Sequence, residues 1–186
     1  MLVHLIHTRR TDVLSHLTKT LKPGDVLLFY HRTSWRSRMI KLATGCRMPH
    51  LCVYVGQQRI IGMLKGRVRR HRIGRFVRGE YDLQIVRGNS EILQAIQAFE
   101  NGRECKRDLV AILLMLMWNR VFRGDIRNIL PYKMSGVTCS GIVSSAIHIA
   151  YKVKSRHLPL LDTPKDAEML IDKLHLPTLL EMEFVA

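Results

Sequence analysis

A chain of 186 residues with 47% hydrophobic content can bury one sizeable core and is too apolar to remain disordered. Its longest apolar run, Leu109 to Trp118, has ten residues, half of what a membrane-spanning helix needs, so no transmembrane span is expected. Thirty Lys and Arg against fifteen Asp and Glu leave a formal charge of +15, which points to an anionic partner: nucleic acid, anionic lipid or a cell-wall polymer. The excess is uneven. Residues 158–186 hold six acids and two bases, so the first 157 residues carry twenty-eight bases against nine acids.

In chain order, the spaced apolar pairs of residues 2–20 predict an N-terminal helical segment. Pro23-Gly24-Asp25 marks a turn into the buried strand candidate Val26–Tyr30. Ser34 is placed to cap a helix over Trp35–Thr44 that Gly45 closes. His50–Val55 follows as a β-type run ended by Gly56, and Gln57-Gln58 reverses the chain into Arg59–Leu64. Gly66 separates that run from Arg67–Ile73, and Tyr81–Val86 reads as a further strand. Connections this short predict an antiparallel meander. Helices are then expected near 90–101, 107–122 and 139–151. Thr163-Pro164-x-Asp166 starts another, and Leu179–Val185 makes a last strand. Strands early and helices late describe an α+β chain, expected to be a single domain over 1–186.

The N-terminus carries His4, His7, Arg9, Arg10 and Asp12 before any apolar region develops, so no signal peptide is expected. Synthesis in the cytoplasm is the expectation, with association with a phage or release by lysis as the alternative. The cysteines Cys46, Cys52, Cys105 and Cys139 lack C-x-x-C spacing, and no Cys/His cluster has the density of a zinc site. Reduced thiols, no cofactor and no metal are expected.

Cys139 lies in Gly136-Val137-Thr138-Cys139-Ser140-Gly141, directly ahead of an apolar helical stretch. Unpaired backbone N–H groups and the positive end of a helix dipole favour thiolate there, and the same donors suit an oxyanion. Pro49 holds the chain extended before His50, which is the leading candidate for the base. Small neighbours, Ser140 and Gly141, would leave room for a substrate carbonyl. The bland alternative is a packing cysteine and a surface histidine. His148, nine residues into the Cys139 helix, is too far along to be the base and is read as a packing or surface residue.

Four segments resemble the circularly permuted NlpC/P60 group of papain-like enzymes, which includes YiiX-type proteins and lecithin–retinol acyltransferase relatives. They are Leu21-Lys22-Pro23-Gly24-Asp25-Val26-Leu27-Leu28-Phe29, His50-Leu51-Cys52-Val53-Tyr54-Val55-Gly56, Thr138-Cys139-Ser140-Gly141-Ile142-Val143 and Thr163-Pro164-Lys165-Asp166. Histidine precedes cysteine, as in the permuted group. The resemblance spans roughly residues 21–170. It implies a permuted papain-like core, a small antiparallel sheet packed on the helix that bears the nucleophile, Cys139 as that nucleophile and His50 as its base. The family's third polar residue would fall at Gly62, which has no side chain to orient an imidazole, so His71 on the next strand is the substitute orienter. Ser34, Trp35 and Arg36 border the groove in similar proteins and are taken as substrate contacts.

Residues 65–78 concentrate Lys65, Arg67, Arg69, Arg70, Arg72, Arg75 and Arg78. Charges on both sides of a strand imply an edge position, either as plain solvated charge or as an anion-binding strip beside the groove. Only Phe76 and Tyr81 lie nearby, which supports a single-stranded nucleic-acid platform poorly. The expectation is a cysteine hydrolase acting on amide or isopeptide bonds of peptidoglycan through an acyl-enzyme. The alternatives are a lipid acyltransferase, amidase or thioesterase at an anionic membrane, and a catalytically lapsed module that binds nucleic acid or a protein.

Overall fold

The computed structural model describes residues 10–64, 67–77, 80–101, 138–154 and 162–182. They form an α+β architecture around one six-stranded antiparallel sheet. The strands are β1 (Val26–His31), β2 (His50–Gly56), β3 (Arg59–Leu64), β4 (Arg67–Arg72), β5 (Tyr81–Val86) and β6 (Thr178–Met182), in the order β4-β3-β2-β1-β5-β6. The helices are α1 (Arg10–Thr20), α2 (Trp35–Thr44), α3 (Ser90–Asn101), α4 (Cys139–Ala150) and α5 (Pro164–Lys173). The expected helix over 107–122 lies outside the described residues, as do residues 2–9 and the end of the last expected strand.

Strand β1 is central because four successive apolar residues, Val26 to Phe29, are buried on both faces of the sheet. Side chains alternate, so the sheet has two packed faces rather than a single core. Val26, Leu28, Leu51, Val53, Ile61 and Met63 pack with Ile92, Ile96, Ile142, Val143, Ala146 and Leu170, which belong to α3, α4 and α5. Leu27, Phe29, Cys52, Tyr54, Ile60, Leu83 and Ile85 face the other way, against Val13 and Leu17 of α1 and against Ile73 and Phe76.

The meander expected from the short connections holds for β1 through β4 and then breaks. β5 pairs with β1 in register Val26↔Val86 to His31↔Tyr81, not with β4. A short 3-10 turn, Ile73–Arg75, takes the chain off β4, and its Ile73 together with Phe76 and Val77 is buried under the α1 face. The physical reason is economy of edges: the apolar β1 gains a partner on each side, while the arginine-bearing β4 is left as an edge that its charges protect. Gln57 and Gln58, both left-handed at φ 50° and 57°, make the two-residue hairpin between β2 and β3.

The Pro23-Gly24-Asp25 turn locks the start of β1. Asp25 is wholly buried, accepts hydrogen bonds from the backbone N–H of Lys22 (2.8 Å) and Gly88 (3.2 Å), and pairs with Arg87 at 3.0 Å. Gly24 has φ 99°, and a Cβ there would sit 2.0 Å from the carbonyl oxygen of Asn89. Only glycine permits that crossing.

Candidate active site

Cys139 is the first residue of α4. Thr138 caps the helix, its Oγ1 accepting from Gly141 N–H at 2.7 Å. Three hydroxyls then converge on Asp162, which precedes α5. Thr138 and Ser140 each donate to the Asp162 carbonyl at 2.6 Å, and Ser144 donates to its carboxylate. His148, half-buried one turn further on, has Nδ1 3.0 Å from the Val153 carbonyl and Nε2 4.0 Å from the Asp162 carboxylate. These links hold the first turns of α4 in place. They also correct one expectation: Ser140 and Gly141 are buried beneath the helix start, so they anchor it rather than open space for a substrate.

The three described cysteines are free thiols in different surroundings. Burial pushes the Cys46 thiol up to about 11, partly offset by a hydrogen bond from Thr44. Burial raises the Cys52 thiol still further, and the nearby Cys139 adds to the effect. Neither is suited to nucleophilic work. Cys139 alone of the three is half-exposed.

Its sulfur lies 3.7 Å from the carbonyl oxygen of Pro49, the residue directly before His50. The two residues read from the sequence therefore belong to one neighbourhood, at the junction of α4 and the start of β2. That segment is held from below by Glu168 of α5, which accepts from the backbone N–H of Arg47 (2.7 Å) and Met48 (2.9 Å). The ring of His50 faces α2, with Nε2 3.4 Å from Ser37 Oγ. Ser37 is buried on the inner side of that helix.

His71 is elsewhere. It pairs with Ile60, which pairs with Tyr54, so it stands two strands across and four residues along from His50, roughly 16 Å away. No orienting contact with His50 is available at that range. His71 instead stacks edge-on to Phe76 at 6.5 Å, and its Nε2 is buried with no hydrogen-bond partner. Gly62 is opposite Cys52, and a Cβ on it would meet Cys52 Sγ at 2.5 Å. Cys52 fills the space that a third polar side chain would need. One partner of the imidazole, Ser37, comes from α2, directly after the three residues Ser34, Trp35 and Arg36. Of those, Ser34 spends its hydroxyl capping α2 at Ser37 N–H, while Trp35 and Arg36 are exposed on the outer side. Ser37 carried one signal, its place in the turn that Ser34 caps. Glu168 and Asp162 carried none that pointed to Cys139 or His50.

Strand β4 is an edge, as its charges imply. Arg70, Arg72 and Arg75 line a cleft of about 660 Å³ with Gln58 and His71, at the end of the sheet away from His50. Arg70 is tied to Glu100 of α3 at 2.9 Å. Among the described residues, no group of three or more His, Cys, Asp or Glu is placed to hold a metal ion, and no helix is long and apolar enough to cross a membrane. No protein-family model matches the chain, and no curated protein matches its sequence.

Proposed function

We propose that the chain is a cysteine-nucleophile acyl hydrolase or transferase with a permuted papain-like core, in which Cys139 attacks and His50 moves the proton. The observation that supports it most is the half-exposed thiol at a capped helix start, its sulfur 3.7 Å from the carbonyl that precedes His50. Ser37 Oγ lies 3.4 Å from Nε2 of His50, and the imidazole takes the thiol proton. The thiolate adds to the carbonyl carbon, and the C–N or C–O bond breaks. The imidazolium returns its proton to the leaving nitrogen or oxygen. Water or another acceptor, deprotonated by His50, then cleaves the thioester and restores the thiol.

Amide or isopeptide bonds of peptidoglycan are the first substrate class, because +15 suits an anionic wall. A lipid acyl donor is the second reading, and the apolar side chains exposed on α2 beside His50 favour it. The test is an acyl adduct trapped on Cys139 by mass spectrometry after incubation with muropeptides or with phospholipid, the adduct mass naming the donor. Alkylation of Cys139 against pH accompanies it. The proposal expects a thiol pKa below 8.5 that reverts in His50→Ala. An ordinary thiol with no adduct from either donor rejects it in favour of a binding module.

A further inference from the structure

Helix α2 is built inside out. A surface helix ordinarily turns its apolar residues to the core and its polar ones to water. Here Ser37 is the buried residue, while Trp35, Met39 and Leu42 are 68%, 53% and 67% exposed. Spaced at i, i+4 and i+7, these three share one outward stripe. Scattered exposed apolar residues need no explanation, but an aligned stripe of three large ones does.

Cations accompany the stripe. Arg36, Arg38 and Lys41 are exposed on the same helix, which contains no acidic residue. None of the three has a carboxylate partner among the described residues. The Arg36 guanidinium carbon lies 5.7 Å over the Trp35 ring, and Lys41 Nζ lies 4.5 Å over the ring of Tyr30. Arg36 and Arg38 also sit near the positive end of the helix dipole, where cations are unfavourable. Arg38 Nε donates to the Arg32 carbonyl at 3.0 Å, and an anionic surface outside the fold would offset the remaining charge.

We infer that the outer face of α2, with Trp35, Met39 and Leu42 flanked by Arg36 and Arg38 and with Lys41 further round the helix, docks on an anionic phospholipid bilayer. The helix would lie in the plane of the interface, its apolar stripe below the headgroups and its cations among the phosphates. The chemistry of the patch favours this occupant over others. An indole with guanidinium and ammonium groups on long aliphatic stems suits the headgroup boundary, where stems bury and charges stay wet. Three side chains fall short of the ~800 Å² per partner that a stable protein interface needs. A nucleic-acid backbone would use the cations and leave the stripe in water. Because Ser37 on the inner side of α2 lies against His50, docking would bring His50 to the lipid-facing side of the fold. The inference does not rest on Cys139 being reactive.

The test follows Trp35 and co-sedimentation together. The sequence has two tryptophans, so Trp118→Phe leaves Trp35 as the sole indole. On adding vesicles of phosphatidylcholine with phosphatidylglycerol, its emission should shift to the blue and be quenched by brominated acyl chains. Co-sedimentation of the otherwise unaltered chain should fall at least 10-fold in the variant Trp35→Ser/Met39→Ser/Leu42→Ser. It should fall on the order of 100-fold in Arg36→Gln/Arg38→Gln/Lys41→Gln. Cys139→Ala should bind like the parent, which separates docking from chemistry. Trp35 that stays unshifted and unquenched on these vesicles, or a serine variant that sediments as well as the parent, overturns the inference. So does a serine variant that turns a dimer into a monomer without lipid, because the stripe would then belong to a second copy.

Discussion

At the Val26 end of β1 a charge is buried and fully used. Asp25 answers Arg87 and two backbone N–H groups, and the crossing of Gly24 over Asn89 leaves no room around it. Around the other end of the β1–β2 pair, the polar groups are arranged differently. Cys139 is half-exposed, Nε2 of His50 lies 3.4 Å from Ser37 Oγ, and α2 turns its apolar side to the outside. The comparison teaches that buried polarity serves stability where every partner is supplied, whereas a half-exposed polar group stays within reach of molecules outside the fold.

The largest effect expected from this contrast is on stability. Asp25→Ala leaves the Arg87 guanidinium without its partner and strips two backbone donors of their acceptor. It should cost about 3 kcal/mol in urea unfolding. A loss under 1 kcal/mol would break the contrast, because Asp25 would then be dispensable to the fold. Next comes Gly62→Ala, whose Cβ meets Cys52 Sγ at 2.5 Å. A penalty of about 1–3 kcal/mol is expected, mostly recovered when Cys52→Ala is added. Failure of that rescue would mean that Cys52 is not what reserves the position for glycine.

Ser37→Ala tests the open end. With the hydroxyl gone, His50 loses a contact to its ring, and under the proposed mechanism kcat should drop roughly 10-fold with KM little changed. The acidic limb of the pH profile should move as well, and Ser37→Thr should restore both. An unchanged profile would reduce Ser37 to packing. The smallest effect concerns His71. Burial lowers its pKa from 6.5, with Arg75 and Arg69 adding to the shift. The unfolded chain therefore binds its proton more readily, and stability rises with pH through that range. Its contribution is present above about pH 6.5 and is lost as pH falls below it. In His71→Leu that part of the acid sensitivity should flatten in pH-dependent melting. A variant as acid-sensitive as the parent would refute the assignment.

Much of the local structure was legible because its cause is local. The turn at Pro23-Gly24-Asp25, the caps at Ser34 and Gly45 and the Thr163–Asp166 capping box are all formed within a few residues. Apolar alternation marked the strands, and charge on both faces of 67–72 marked an edge. The order of strands was not legible beyond the hairpins. Pairing β5 with β1 depends on which edge buries more apolar surface, and that is a property of the assembled sheet.

The same division runs through the candidate site. Sequence alone determined that a cysteine would open an apolar helix and that a histidine would open an extended run, since capping and backbone restriction act on neighbours along the chain. Tertiary structure decided which groups surround them. Glu168 reaches back 121 positions to hold the segment before His50, Asp162 gathers the hydroxyls of Thr138, Ser140 and Ser144, and Ser37 meets His50 from a helix where a strand was expected to supply a partner. Contacts at such separations form only after the sheet and its helices have packed, because a side chain's reach is a few ångströms and the backbone between the partners carries no record of where it will fold.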